Sequence, residues 1–319
     1  MTLSHPCFVF AAGTYYGNEP TAEKMPTNAF VITADGGLDH AIASGIRPDL
    51  AIGDFDSAKA GIPQGVETIA LPPEHDDPDM LSALKAGWSR GYRDFRIYGG
   101  LGGRIDHSVA NIQMLALLAH NGGIGLLYGE HSVVTAICNG SIHFSADALS
   151  LDSNAADAMG QTHRDIRNVP GYEAKTGSET CKNPSSPRSY PDTRTVSETM
   201  AKIDSETCGN PGDGADTDPT NRMVSVFSHA DISRGVTETG LKYELENGTM
   251  RSDTVIGVSN ELLDGHPASI SVADGTLIIT FPIGTTIDVL TTTVTPVEDL
   301  GPLADQPSKL LARSADKWD

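Results

Sequence analysis

Up to about Glu130 the chain alternates short, β-branched apolar runs with helical patterns, a rhythm that few folds accommodate. The runs are Cys7–Ala12, Ala29–Ala34, Leu50–Gly53, Glu67–Ala70, Phe95–Tyr98 and Ile124–Tyr128. Between them Leu81, Leu84 and Trp88 recur on one helical face, and Ile105, Val109, Ile112 and Ala116 do so later. Strands joined through helices cross over and pair in parallel, which predicts an α/β, Rossmann-like sheet with helices on its faces. In such an open sheet, ligands bind beyond the carboxyl ends of the strands, so the loops there carry the chemistry.

After Glu130 the helical period disappears. Val133–Cys138, Met223–Phe227, Val255–Val258, Ala268–Val272 and Thr276–Phe281 are short and β-branched, and they predict an all-β sandwich or barrel. From about Ala146 to Asn221 the chain is rich in Ser, Thr, Asn, Asp, Gly and Pro, with few large apolar residues. Such a stretch buries too little surface to offset its ordering entropy, so it reads as a disordered or irregular insertion. The predicted organisation is an α/β domain over 1–130, a β domain over 131–297 interrupted at 146–221, and a polar tail over 298–319 in which Trp318 is incidental.

Composition removes several function classes. A formal net charge of −20 argues against a nucleic-acid partner, because phosphate-backbone affinity needs basic patches. The apolar run at Cys7–Ala12 has no basic region before it and is too short for a signal peptide or a membrane span. Cys7, Cys138, Cys181 and Cys208 form no CxxC pair or zinc-ligand cluster, which suits free thiols in a reducing cytoplasm.

Six local motifs carry candidate chemistry. In Ile52-Gly53-Asp54-Phe55-Asp56-Ser57 a strand runs into a turn bearing two carboxylates, which either ligate Mg²⁺ beside a phosphate or cap the turn. The acidic run Glu74-His75-Asp76-Asp77-Pro78-Asp79 opens a helix, for which Asp79 could serve as a cap. Ala34-Asp35-Gly36-Gly37 follows a strand, and its glycines permit close backbone approach to a ligand. Gly99-Gly100-Leu101-Gly102-Gly103-Arg104-Ile105-Asp106-His107 feeds a helix whose first amides suit phosphate, with Arg104 as a fixed cation; His107 and Asn111 are either site residues or ordinary polar positions. Further on stand Gly240-Leu241-Lys242-Tyr243 and Gly257-Val258-Ser259-Asn260-Glu261, where Tyr243 either stacks on a cationic ring or is an edge tyrosine.

In order and spacing these motifs, with Pro48-Asp49-Leu50-Ala51 leading into Ile52, resemble the thiamine pyrophosphokinases over nearly the whole chain except the insertion and tail. The resemblance implies an α/β nucleotide-binding domain, a β-sandwich and a homodimer with thiamine at the subunit boundary. It implies that ATP is co-substrate, that Asp54, Asp56 and Asp79 hold Mg²⁺, and that Arg104, Asp106 and Asp35 lie in the nucleotide pocket. It further implies an aromatic role for Tyr243 beside thiamine, with Ser259 and Asn260 hydrogen-bonding the aminopyrimidine. The reaction expected is attack by the thiamine hydroxyl on the β-phosphorus of ATP, releasing AMP.

Two departures from that pattern stand out: Asp77-Pro78 replaces a Lys-Thr found in many members, and the insertion splits the β domain between Phe144 and Met223. The rival readings are a Mg²⁺-dependent nucleotide phosphohydrolase using water, and a non-catalytic thiamine or nucleotide sensor. An NAD-binding fold ranks lowest, since Gly13-Thr14-Tyr15-Tyr16-Gly17 after the first strand is no dinucleotide fingerprint.

Overall fold

Every residue of β1 (Cys7–Phe10) is buried, as a central strand covered on both faces requires. The computed structural model describes residues 5–55, 59–73, 76–146 and 222–304, all within one compact unit. After β1 come β2 (Phe30–Ala34), α1 (Gly37–Ala43), β3 (Leu50–Gly53), β4 (Glu67–Ala70), α2 (Asp79–Ser89), β5 (Asp94–Tyr98), α3 (Ile105–His120) and β6 (Ile124–Tyr128). These strands lie in the order β4-β3-β2-β1-β5-β6, each pair parallel. On one face Leu84 and Trp88 of α2 and Leu115 and Leu118 of α3 join the main core with Val9, Ile32, Leu50 and Ile97. On the other face Phe8, Phe10, Val31, Ala41, Ile46 and Tyr98 form a smaller cluster.

The remaining strands are β7 (Ser132–Cys138), β8 (Gly140–Phe144), β9 (Met223–Ser228), β10 (Ile232–Thr239), β11 (Leu245–Arg251), β12 (Asn260–Glu261), β13 (Ala268–Ser271), β14 (Thr276–Pro282) and β15 (Ile287–Thr292). The two halves share a sheet: β7 pairs antiparallel with β6, and β14, β9 and β12 follow it, giving ten strands in all. The antiparallel part of that sheet faces a second, five-stranded sheet of order β11-β10-β13-β8-β15. Val133, Ile137, Val226, Leu277 and Ile279 from the first meet Ile142, Phe144, Val236, Ile270 and Leu290 from the second. The fold is thus mixed α/β with large sheets and few helices, and one layer of its sandwich continues the parallel sheet.

Three segments differ from the sequence-based expectation. Val255–Val258 is a loop, with Val255 81% exposed, because Gly257 turns there and gives its carbonyl to the Val226 amide. The predicted stripe on α3 is buried only toward the C-terminal end: Ala116 is 1% exposed, whereas Ile105 is 81% and Val109 51% exposed. The first turns of α3 border a cavity, while its later turns pack over β6, β7 and β14. The start of the polar tail is not free: Val294, Leu300 and Leu303 pack on the main core. Trp318, Cys181, Cys208 and nearly all of the 146–221 insertion lie outside the described residues; Cys7 and Cys138 are buried free thiols. Among the described residues, no helix is long and apolar enough to cross a membrane.

Candidate active site

From β1 the chain adds β2, β3 and β4 to one side, then returns to add β5 and β6 on the other, so loops diverge above the β1–β5 junction. That divergence opens a crevice at the carboxyl ends of the strands. A cavity of about 650 Å³ lies there. It is lined by Thr14 after β1, Asp35 after β2, Asp76, Asp77 and Asp79 ahead of and at the start of α2, and Gly102, Gly103, Arg104, His107 and Asn111.

The glycine turn owes its shape to its neighbours. The buried Asn111 side chain donates to the Gly100 carbonyl at 2.7 Å, and the Gly13 amide donates to the Gly99 carbonyl at 2.9 Å. At Gly102 the backbone φ is +82°, and an added Cβ would lie 2.3 Å from the Tyr16 hydroxyl, so only glycine fits. Gly36 is the N-cap of α1, and a Cβ on Gly37 would sit 2.0 Å from the Phe10 carbonyl oxygen, so Gly37 lets α1 approach β1 closely; neither glycine is among the cavity's lining residues.

Arg104 occupies the N-cap of α3 and its side chain is 73% exposed. Its guanidinium donates to both oxygens of Asp106, at 2.5 and 3.2 Å, and Asp106 also accepts from the His107 amide at 3.0 Å. The pairing raises the guanidinium pKa and lowers that of the carboxyl. Asp106 does not line the cavity, so its contact with the site runs through Arg104.

The acidic loops are held at their backs. Asp39 accepts from the amides of Lys59 at 3.0 Å and Ala60 at 2.7 Å, restraining the far end of the loop that begins with Asp54. Those amides hold the Asp39 carboxyl below its ordinary pKa. Asp77 pairs with Lys85 at 2.6 Å. Asp35 has φ 47°, Phe55 has φ 58° and Ser259 has φ 60°, so three of the sequence motifs each hold a non-glycine residue in the left-handed region. Each such residue costs about 1–2 kcal/mol, a strain that clusters where a loop must aim its side chains.

Asp35 and Asp79 meet at the cavity, whereas Asp54, after the next strand out, is half-buried and not among its lining residues. Asp56 lies outside the described residues. Among the described residues, no three His, Cys, Asp or Glu side chains are grouped closely enough to share an ion. The donors that approach the cavity are carboxylate oxygens, the chemistry a hard divalent cation takes.

The second motif cluster lies on β12 at the end of the ten-stranded sheet and on the turn after β10. Tyr243 is 49% exposed. Asn260, expected to meet the aminopyrimidine, has an engaged side chain: Oδ1 accepts the amides of Tyr243 and Glu261, and Nδ2 donates to the Tyr243 carbonyl and to Glu238. Ser259 is exposed, and its amide donates to Ser225 Oγ at 3.0 Å. Glu238 is only 3% exposed, and burial raises its pKa, an effect opposed by the Asn260 hydrogen bond. Sequence reasoning missed Glu238 because a lone Glu in a strand carries no signal; it missed Lys85 and Asp39 because the groups they hold, Asp77 and Pro302 for one and the amides of Lys59 and Ala60 for the other, lie outside their own helices.

A family model described as the catalytic domain of thiamin pyrophosphokinase matches residues 22–124, and one described as the vitamin B1 binding domain of thiamin pyrophosphokinase matches residues 215–277. Together they span just over half of the chain. Among solved structures the chain is similar to thiamine pyrophosphokinase from Bacillus subtilis, at 17% identity over 87% of this chain and 99% of that one, with a TM-score of 0.56. The Geobacillus thermodenitrificans thiamin pyrophosphokinase gives 17% identity, 92% and 100% coverage and a TM-score of 0.54. That from Candida albicans gives 10%, 88% and 89%, and 0.53. Such low identities carry the fold alone. No curated protein matches the chain.

Proposed function

This chain belongs to the thiamin pyrophosphokinase family and is a thiamine diphosphokinase; on that premise we propose that ATP is its donor, that Mg²⁺ is its cation, and that a homodimer completes the site. In the reaction the thiamine hydroxyl oxygen bonds to the β-phosphorus of ATP, the bond from that phosphorus to the α,β-bridging oxygen breaks, and AMP leaves. The hydroxyl proton passes to a carboxylate at the cavity.

The observation that carries this reading is the charge of the cavity. Asp35, Asp76, Asp77 and Asp79 line it, and Arg104 is the one permanent cation among its described lining residues. Two unit charges of like sign 6 Å apart repel by roughly 3 kcal/mol at an effective permittivity near 20. A bare triphosphate is therefore repelled, whereas one carrying a divalent cation is not. Asp54, Asp56 and Asp79 would hold the ion, which when bound neutralises phosphate charge. Arg104 and the amides of the glycine turn would bind the phosphate oxygens, with Asp106 fixing the angle of Arg104 and His107 closing the rim.

Distance supports the dimer. Five strand spacings separate β5, beside the cavity, from β12, and at about 4.8 Å each they span roughly 24 Å, longer than thiamine. The Tyr243 and Ser259 cluster of one protomer is thus suited to complete the cavity of its partner, with Tyr243 stacking on the cationic thiazolium or the pyrimidine. The exposed Ile105 and Val109 beside the cavity give the apolar surface that such a contact would cover.

Incubation with ATP, Mg²⁺ and thiamine tests the reading. AMP and thiamine pyrophosphate should appear in equal amounts, and Asp54→Asn or Asp79→Asn should lower turnover at least a hundredfold with little loss of melting temperature. Phosphate release without thiamine would mark a phosphohydrolase instead.

A further inference from the structure

We infer that Lys85 is a positioning residue for the acidic loop at 76–79, acting together with a strap formed by the chain from Val294 to Ala304. Lys85 lies on α2 and does not line the cavity. Its ammonium donates to Asp77 Oδ2 at 2.6 Å and to the Pro302 carbonyl at 2.8 Å. The same Asp77 oxygen accepts the Ala304 amide at 3.3 Å. One side chain therefore joins three segments: helix, acidic loop and strap. Both charged groups are largely shielded, with side-chain exposures of 13% and 14%, so water competes weakly for them.

The strap is anchored along its length. The Val297 amide donates to the Asn121 carbonyl at 3.1 Å, and its own carbonyl accepts Trp88 Nε1 at 3.1 Å. Arg93 stacks on Trp88 at 3.9 Å and also reaches the Val297 carbonyl. Leu300 and Leu303 pack on the main core. A continuous path thus runs from the end of β15 to the loop that presents Asp76 and Asp79 to the cavity. Asp77 itself is engaged by Lys85 in this clasp, which leaves Asp76 and Asp79 as the carboxylates the loop delivers.

This inference rests on the pyrophosphokinase reading for what the loop is for, not for what holds it. Hydrogen–deuterium exchange of the full chain tests the clasp directly. In Lys85→Met, amides over 76–84 should exchange about tenfold faster than in the unaltered protein while those over 105–120 are unchanged, and Lys85→Arg should restore protection. Leu303→Ala, which keeps the ion pair but loosens the strap, should move the same amides in the same direction. Calorimetry with Mn²⁺ and ATP should give about tenfold weaker binding for Lys85→Met and recovery for Lys85→Arg. Unchanged exchange over 76–84 in both Lys85→Met and Leu303→Ala overturns the clasp; faster exchange with unaltered Mn²⁺–ATP affinity overturns the positioning role. Failure of the unaltered protein to form AMP from ATP and thiamine would strike the pyrophosphokinase reading alone, since the exchange result is read without turnover.

Discussion

Replacing Asn260 by Asp changes one NH₂ to an oxygen, and the structure fixes what that costs. The side chain is 5% exposed; it accepts two amides through Oδ1 and donates to the Tyr243 carbonyl at 2.7 Å and to Glu238 Oε2 at 3.1 Å. The aspartate keeps both acceptances and loses both donations. A buried acceptor stripped of its donor costs about 1–3 kcal/mol, so the two together cost about 2–6 kcal/mol when both carboxyls are ionised. Two buried carboxylates in contact cannot both stay charged, so the pair takes up a shared proton. Burial already raises the Glu238 pKa, and the variant removes the Asn260 hydrogen bond that opposes this rise while adding a like charge. A carboxyl whose folded pKa lies above its unfolded value contributes stability that is present below the unfolded value and lost as pH climbs through the folded one. Asn260→Asp should therefore lie about 1–3 kcal/mol below the unaltered protein at pH 5, where the shared proton restores one donation, and about 2–6 kcal/mol below it at pH 8. Urea unfolding followed by tryptophan fluorescence at both pH values measures the gap, Trp88 being fully buried. A gap that does not widen with pH, or that stays below about 1 kcal/mol at pH 8, refutes the reasoning.

Gly102→Ala puts a Cβ against the Tyr16 hydroxyl at a φ of +82°, and should cost about 1–3 kcal/mol in urea unfolding. Because Gly102 lines the cavity beside Arg104, the same change should raise the KM for ATP about tenfold while that for thiamine holds; a reversed pattern would move the nucleotide elsewhere. Ile105→Glu combined with Val109→Glu places two charges on an exposed apolar strip, and sedimentation velocity should show the proposed dimer dissociating to monomer with the fold intact by circular dichroism. A dimer undisturbed by both charges would place the subunit boundary on another face.

Most of the parallel half was legible because its inner strands are covered on both faces and read as unbroken apolar runs; Leu50–Gly53 and Ile124–Tyr128 match the observed strands end to end, as does the exposed edge strand Glu67–Ala70. The second sheet was much less so. β10, Ile232–Thr239, buries the polar Ser233 and Glu238 beside Val236 while Arg234 and Thr239 are exposed, and it is broken by register shifts around Val236, so its apolar alternation is blurred. β15 has the same defect around Ile287. Periodicity also misplaced the buried face of α3, since an apolar stripe records that a surface is covered without recording by what. At the site, the glycine turn, Asp35 and the acidic run stood out as local motifs. That Asn260 spends its amide holding Tyr243 follows from a hydrogen bond spanning 17 residues, and no spacing rule announces it.

The way the cavity is built bears on how catalysis can arise there. Two acidic loops at the carboxyl ends of the strands are tied by side chains that do not line the cavity: the Asp54 loop by Asp39, and the acidic loop by Lys85. Holding like charges together is unfavourable, and the left-handed Asp35 and Phe55 add strain to it. A flexible site would relax by spreading the carboxylates apart, then have to gather them again when the substrate arrived, at the expense of the transition state. Rear anchoring moves that cost into folding, where the packed sheet supplies it, so that the charges are already arranged when the triphosphate enters. Loosening any rear anchor should accordingly lower turnover without touching a group that contacts substrate, and the loss should be relieved in part by raising the divalent cation concentration, because the cation restores from the front the order that the anchor supplied from behind.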